Sequence, residues 1–285
     1  MESTRDTLLQ ERFHEEDLQR LRGFRPIDDT FMRCLFRDNL PLAQLVLRII
    51  TGKQDLVLTR EETQKDLKRL LGARSLCLDV HGVDSEDREY DLEVQRADRG
   101  ARPERARYHS SAMDIEALDA GQEFEDLPET YTIFVTENDF FDKGAGIYPI
   151  ERMNMVTNAP FNDREHILYV NGQYNGDDEL GRLMHDFLCN DPDEMHYELL
   201  AERSRYFKED PKGVSEMCKA MEDMRNEALE IGRVRGLEEG RTEGHLNTLI
   251  DSVRSLKAKL GLTDQQVKDA LNITNEDWEQ IVVRV

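Results

Sequence analysis

The sequence lacks paired cysteines and has little positive charge. Its four cysteines lie far apart, form no CxxC pair and have no histidine at zinc-ligand spacing, so reduced thiols are expected. The 38 lysines and arginines face 60 acids, which gives a net charge of −22. Such a field repels a phosphate backbone, so any nucleic-acid site would have to be a local basic patch.

Long apolar runs are also missing. The longest, LAQLVLRII, is too short to span a bilayer and contains an arginine. The opening stretch, MESTRDTLLQERFHEEDLQRLR, has no apolar segment behind a basic start, so no signal peptide is predicted. These features favour a cytoplasmic protein that does not contact a membrane.

The composition suits one sizeable folded core with helical additions. Hydrophobic residues make up 38% and charged residues 34% of the 285 positions. Helix and strand patterns alternate in the first two thirds of the chain, and the remainder is helical throughout. We predict a charged N-terminal segment (1–24), an α/β core (25–192), a helical extension (193–245) and a small C-terminal helical unit (246–285).

The predicted elements of the core follow the order helix, three strands, helix, strand. The three strands are expected at 55–59, 75–83 and 89–95, and the last two are joined by DSEDR, a link of hairpin length. A helix over 103–119 and a buried-type strand over 129–137 come next. This order predicts a mixed α/β sheet with flanking helices.

The third strand, within REYDLEVQ, alternates strictly between apolar and polar residues. Its apolar face carries Tyr90, Leu92 and Val94. Its polar face carries Asp91, Glu93 and Gln95. Such a strand normally buries one face and exposes the other, so the polar face is either a solvated surface or a site that holds a ligand.

Asp79 is the single acid in an apolar run from Leu76 to Val80. An unpaired carboxylate is costly to bury, and the hairpin would bring Asp79 beside Glu93. Two carboxylates drawn together repel unless a cation lies between them, and Mg²⁺ binds one or two carboxylates while keeping several waters. The alternative is an ordinary solvated hairpin face.

Arginines are concentrated directly after this strand. Between residues 96 and 107 two acids accompany five arginines, namely Arg96, Arg99, Arg102, Arg105 and Arg107. The guanidinium fork matches a phosphate group, so a phosphate-bearing partner is one explanation. Surface ion pairs with nearby acids, which contribute little to stability, are the other.

An acid on one strand and an acid-x-polar triplet on the next, in an αβββαβ order, resemble the PD-(D/E)xK nucleases. In particular, LDVHGVDSEDREYDLEVQ and RARYHSSAMDIEALDAGQEFEDLPETYTIFVTENDFF resemble the recombination-promoting nucleases, the Rpn group of PD-(D/E)xK nuclease family transposases. The likeness covers roughly Pro26 to Tyr206. It implies a restriction-endonuclease-like core with a mixed central sheet and an α-helical C-terminal region.

The resemblance implies catalytic roles for three residues of the hairpin. Asp79 and Glu93 would be metal ligands, with Gln95 where most of the superfamily carries lysine. Glutamine orients water only through hydrogen bonds, so the metal would carry more of the chemistry. Asp29, in DDTF, matches an acid on the first helix of the group and would assist the site.

The resemblance also suggests contacts to a nucleic acid. Arg105 and Tyr108 match positions on the helix after the third strand, where phosphate contact is expected, and Arg96 and Arg107 are predicted to contribute. His109 stands where a second aromatic residue is common in the group. His185 and His196 show no metal-ligand spacing and are interpreted as surface or hydrogen-bonded histidines.

Two functions remain open from the sequence. The first is a Mg²⁺-dependent DNA endonuclease linked to recombination, transposase-like activity or defence, which the intact Asp–Glu pair favours. The second is a nuclease-fold protein that binds DNA or a protein without cutting, which the acidic charge and missing lysine favour. The helical C-terminal half would serve assembly, because IGRVRGLEEGRTEGH has a glycine at every fourth position. This stretch is either a charged linker helix or a glycine stripe that packs two subunits together.

Overall fold

The computed structural model describes residues 15–67, 76–96 and 98–284. The chain divides into two compact units, with the division between Met221 and Glu222. No helix in the described part is long and apolar enough to cross a membrane.

The first unit contains the α/β core. Its helices are α1 (Glu15–Arg22), α2 (Asp29–Phe36), α3 (Leu40–Thr51), α4 (Pro103–Ala117), α5 (Glu179–Leu188) and α6 (Glu198–Glu209). Its strands are β1 (Leu58–Leu67), β2 (Leu76–Asp84), β3 (Glu89–Gln95), β4 (Thr130–Thr136), β5 (Ile147–Ile150), β6 (Met153–Asn154), β7 (Ala159–Pro160) and β8 (Glu165–Asn171). Strands β6 and β7 form a separate two-stranded hairpin.

Six strands form one mixed sheet in the order β1-β2-β3-β4-β8-β5. Strand β2 pairs antiparallel with both β1 and β3. Strands β3, β4 and β8 are parallel, and β5 returns antiparallel to β8. The predicted fold class, a mixed sheet with flanking helices and a helical C-terminal region, is confirmed.

Both faces of the central strand β3 are buried. Tyr90, Leu92 and Val94 lie in the main apolar core together with residues of α2 and α3. Asp91 and Glu93, on the other face, are 0% exposed because α4 packs across that side of the sheet. The interpretation of the polar face as a solvated surface is therefore wrong.

Strand β1 differs from its prediction, since it spans Leu58–Leu67 and not 55–59. Its sequence, LTREETQKDL, has no apolar alternation. The strand lies at the edge of the sheet, so backbone pairing with β2 holds it while most of its side chains reach solvent. Gln64 within it has a φ of 60°, a left-handed conformation uncommon for a non-glycine residue.

The remaining elements are helical: α7 (Pro211–Leu260), α8 (Asp264–Leu271) and α9 (Asn275–Ile281). The second unit has its own small apolar cluster, made of Ile250, Val253, Val267, Ile273 and Ile281. Trp278 is partly buried against this cluster. The unit therefore contains a core of its own.

Candidate active site

The β2–β3 hairpin brings Asp79 and Glu93 together. Its regular pairing ends at Val80 and Leu92, so Asp79 and Glu93 are the next residues on the two strands. There the Asp79 backbone N–H donates to Glu93 Oε1 at 2.9 Å, and the Val94 N–H donates to Asp79 Oδ2 at 3.4 Å. At this point each carboxylate accepts a hydrogen bond from the backbone of the opposite strand, in place of the regular backbone pairing. These two bonds hold the carboxylates in position.

Neighbouring amides complete this arrangement. The side-chain amide of Gln64, the residue with left-handed backbone on β1, donates to Asp79 Oδ1 at 3.1 Å. The Gln95 amide donates to Glu93 Oε2 at 3.3 Å. The predicted trio of Asp79, Glu93 and Gln95 therefore lies in one connected group.

A third carboxylate, Asp91, lies beside Glu93 on the same face of β3. Arg105 Nε donates to His109 Nε2 at 3.2 Å, which leaves His109 Nδ1 to donate its proton to Asp91 Oδ2 at 2.9 Å. Asp91, Glu93 and His109 each place a possible ligand atom within 4.8 Å of the other two. Asp91 Oδ1 is buried and has no hydrogen-bond partner among the described residues.

Asp91 and His109 are not among the site residues predicted from the sequence. Two spacings could have placed both residues. Asp91 is two positions from Glu93 on a strand, and His109 is four positions from Arg105 on a helix, so each shares a face with a residue already chosen.

Burial and mutual repulsion favour the neutral forms of these acids. Burial, followed by the charges of Asp91 and Asp79, raises the pKa of Glu93 to about 8. Burial also raises the pKa of Asp91 well above its usual range, and the charge of Asp79 adds to this effect. A proton on one of the two carboxyl groups allows Asp91 and Glu93 to share a hydrogen bond.

Arg105 connects the buried carboxylates with the surface. Its Nη2 donates to Glu93 Oε2 at 2.9 Å, and its side chain is 40% exposed while that of Glu93 is 0% exposed. The guanidinium therefore supplies positive charge at Glu93, and its exposed part is accessible to a ligand from solvent.

The other predicted phosphate contacts are placed differently. Arg96 pairs with Asp28 at 3.1 Å and with Glu137 at 3.2 Å. Arg107 and Tyr108 are exposed on α4. The side chain of Arg99 lies outside the described residues. The structure thus brings one of the four proposed contacts, Arg105, to the carboxylates.

Asp29, in the first turn of α2, lies close enough to influence the site electrostatically. After burial, the charge of Asp29 is the largest cause of the raised pKa of Asp79. The Asp29 Oδ1 accepts a hydrogen bond from Arg33 Nε at 3.1 Å. Asp29 therefore contributes negative charge that acts on Asp79.

A divalent cation fits this cluster. Asp91 and Glu93 supply carboxylate oxygens, which hard cations prefer, His109 supplies an imidazole nitrogen, and Asp91 Oδ1 has an unused acceptor position. Asp79 is hydrogen-bonded to the strand of Glu93 beside them. A cation would also favour the ionised forms that burial and repulsion now oppose.

The described residues form a mixed six-stranded α/β fold that is consistent with a PD-(D/E)XK nuclease fold and carries buried carboxylates on β2 and β3. Residues 44–173 match the family model described as PD-(D/E)XK nuclease family transposase, which confirms the predicted resemblance over this segment of the chain. No curated protein and no solved structure gave a match. The family indicates a nuclease-like or transposase-like role, DNA as the substrate class, and the divalent metal that its nucleases generally use.

Proposed function

We propose that the protein is a Mg²⁺-dependent DNA endonuclease that hydrolyses phosphodiester bonds in recombination, transposase-like activity or defence. The observation that carries the proposal is the buried Asp79–Glu93 pair with Asp91 Oδ1 unpartnered beside it. Asp79, Asp91 and Glu93 would hold the metal. When bound there, a divalent cation supplies charge neutralisation at the phosphate and a more acidic water.

The protein residues around the cluster supply orientation and charge. The Gln95 amide, now donating to Glu93 Oε2, would orient the attacking water by hydrogen bonding. Arg105 would hold a non-bridging phosphate oxygen, since its guanidinium is half-exposed and reaches the carboxylates. His109 keeps Arg105 in place by accepting from its Nε. Arg107 and Tyr108 would contact the DNA backbone farther from the reacting bond.

The test is a plasmid-nicking assay with Mg²⁺ and, because an imidazole nitrogen lies in the cluster, with Mn²⁺. Asp79→Asn and Glu93→Gln should each lower the nicking rate by a factor of at least about 100. Glu89→Gln is the matched control, because Glu89 is a half-buried acid on the same strand that pairs with His81. Equal rates for the wild type and the Asp79 and Glu93 variants would refute the proposal.

A second candidate is a nuclease-fold protein that binds DNA or a protein partner without cutting. This function is favoured because the Glu93 carboxylate already accepts hydrogen bonds from the Asp79 N–H, the Gln95 amide and Arg105. Its oxygens are therefore less available to a metal. Binding of a labelled duplex without nicking in either metal would select this function.

Self-association through the C-terminal helices also remains a proposal. Gly232, Gly236, Gly240 and Gly244 lie on α7, and an added Cβ at each would meet no described atom within 4 Å. Light scattering on the purified chain would test it, and a monomer at all concentrations would exclude it.

A further inference from the structure

Two histidines and an aspartate meet in the first unit, away in sequence from the carboxylate cluster. His185 and Asp186 are consecutive residues of α5, and His196 lies two residues before α6 begins. One possible ligand atom from each of the three lies within 4.8 Å of the other two. The two imidazole rings have centroids 4.7 Å apart and are tilted by 56°.

Asp186 brings the two histidines close together. Its side chain is completely buried, and its Oδ1 and Oδ2 accept from the His196 N–H at 2.8 and 3.0 Å. Oδ2 also accepts from the Tyr197 N–H at 2.8 Å. These bonds hold the chain at His196 against α5. His185 and His196, eleven residues apart in sequence, therefore lie side by side.

The backbone bonds explain why Asp186 is buried, but they do not involve the two histidine rings. His185 Nδ1 lies 3.1 Å from Asp186 Oδ1, and its side chain is 47% exposed. The His196 residue is exposed, and its ring makes no hydrogen bond to another described residue. Both rings can therefore turn toward a shared ligand at little cost in lost contacts.

We propose that His185, Asp186 and His196 form a second metal site that binds Zn²⁺ or a similar transition-metal ion. Two imidazole nitrogens with one carboxylate oxygen are a typical three-residue zinc donor set, and water takes the remaining position. Imidazole also selects against Mg²⁺ and Ca²⁺, which prefer oxygen ligands. The backbone bonds to Asp186 supply the outer support that holds a ligating carboxylate in orientation.

Metal bound here would join α5 to the segment that leads into α6. Because a preformed arrangement of these ligands needs the folded chain, binding would stabilise the native state. The site does not depend on DNA cleavage and would act as a structural link.

The test uses the untagged, metal-free full chain. Zinc is titrated in competition with a chromophoric chelator, and Co²⁺ is followed by its visible absorption, which reports an ordered low-coordinate nitrogen and oxygen site. The measurements are made in the Glu93→Gln background, so that the carboxylate cluster contributes less. We expect one equivalent of bound zinc, a rise in Tm on zinc addition, and no competition from an equal concentration of Mg²⁺.

His185→Asn and His196→Asn should each weaken zinc binding by at least about tenfold and remove the zinc-dependent rise in Tm. His245→Asn is the control, because this exposed histidine lies 3.8 Å from Asp277 and belongs to no such cluster. Asp186 is left unchanged, since its loss would release buried backbone groups. The proposal is overturned if both histidine variants bind zinc as the control does. Failure here leaves the nuclease proposal untouched, because nicking is tested through different residues.

Discussion

Asp79 and Glu93 hold each other's strands through reciprocal hydrogen bonds. The Asp79 N–H donates to Glu93 Oε1 at 2.9 Å, and the N–H of Val94, next to Glu93, donates to Asp79 Oδ2 at 3.4 Å. The last regular pair between β2 and β3 is Val80 with Leu92, the immediate neighbours of Asp79 and Glu93. The carboxylates therefore lie at a break in the sheet, where backbone donors fix them without neutralising them.

Asp91→Asn should stabilise the metal-free protein and weaken its metal binding. The substitution removes one buried negative charge and offers an amide donor to Glu93, while the remaining oxygen can still accept from His109. We expect the free energy of unfolding without metal to rise by about 1 kcal/mol. Urea unfolding with and without Mg²⁺ measures both effects. A less stable variant with unchanged metal-dependent stabilisation would contradict this account of the cluster.

Arg105→Gln should weaken DNA binding by about tenfold, because a guanidinium that can pair with phosphate is lost. It should also strengthen metal binding, because the positive charge beside Glu93 is lost. Arg107→Gln should lower DNA affinity alone, since Arg107 is exposed on α4, and should reduce the salt dependence by about one phosphate contact. Fluorescence anisotropy with a labelled duplex in Ca²⁺, at several salt concentrations, measures the DNA arm. Identical effects of the two variants on metal affinity would show that Arg105 does not act at the carboxylates.

Gly100→Ala should displace Gln95 and lower the nicking rate with little change in stability. A methyl group at Gly100 would overlap Gln95 Oε1, the end of a flexible side chain that can move aside. Gly240→Ala is the control, since an added Cβ there meets no described atom within 4 Å. Nicking and Tm are measured on both variants. An unchanged nicking rate in Gly100→Ala would remove Gln95 from the proposed mechanism.

Lys208 should make stability rise with pH in mildly alkaline solution. Burial lowers the pKa of Lys208 to about 8, although its ammonium donates to the carbonyl oxygens of Arg22 and Phe24. The unfolded chain keeps the ordinary lysine pKa of about 10.4, so between these two values it binds more protons than the folded chain. The free energy of unfolding should therefore increase from about pH 8 to about pH 10.4 through this residue.

The Lys208 contribution is isolated by difference. Denaturant unfolding is followed across this pH range for the wild type and Lys208→Met, and the two curves are subtracted so that other titrating groups cancel. A flat difference curve would mean that Lys208 has the same pKa in both states.

Local pattern was enough to locate most elements of the core. The alternation in REYDLEVQ predicted β3, and the short polar link after β2 predicted its hairpin partner. The pattern failed at β1, whose polar sequence carries no period because an edge strand is held by backbone pairing. The spacing of His185 and His196 does not indicate their proximity, which arises because buried Asp186 accepts from the His196 backbone N–H.

By itself the sequence determined the order of helices and strands and the likeness that led to Asp79 and Glu93, because periodicity and motif are written in neighbouring residues. Only the tertiary structure decided that α4 covers the polar face of β3, which buries Asp91 and brings His109 to it. It also decided that Arg105 reaches Glu93 while Arg96 pairs with Asp28. These outcomes depend on which helix packs across the sheet and at what angle, and no local pattern contains that information.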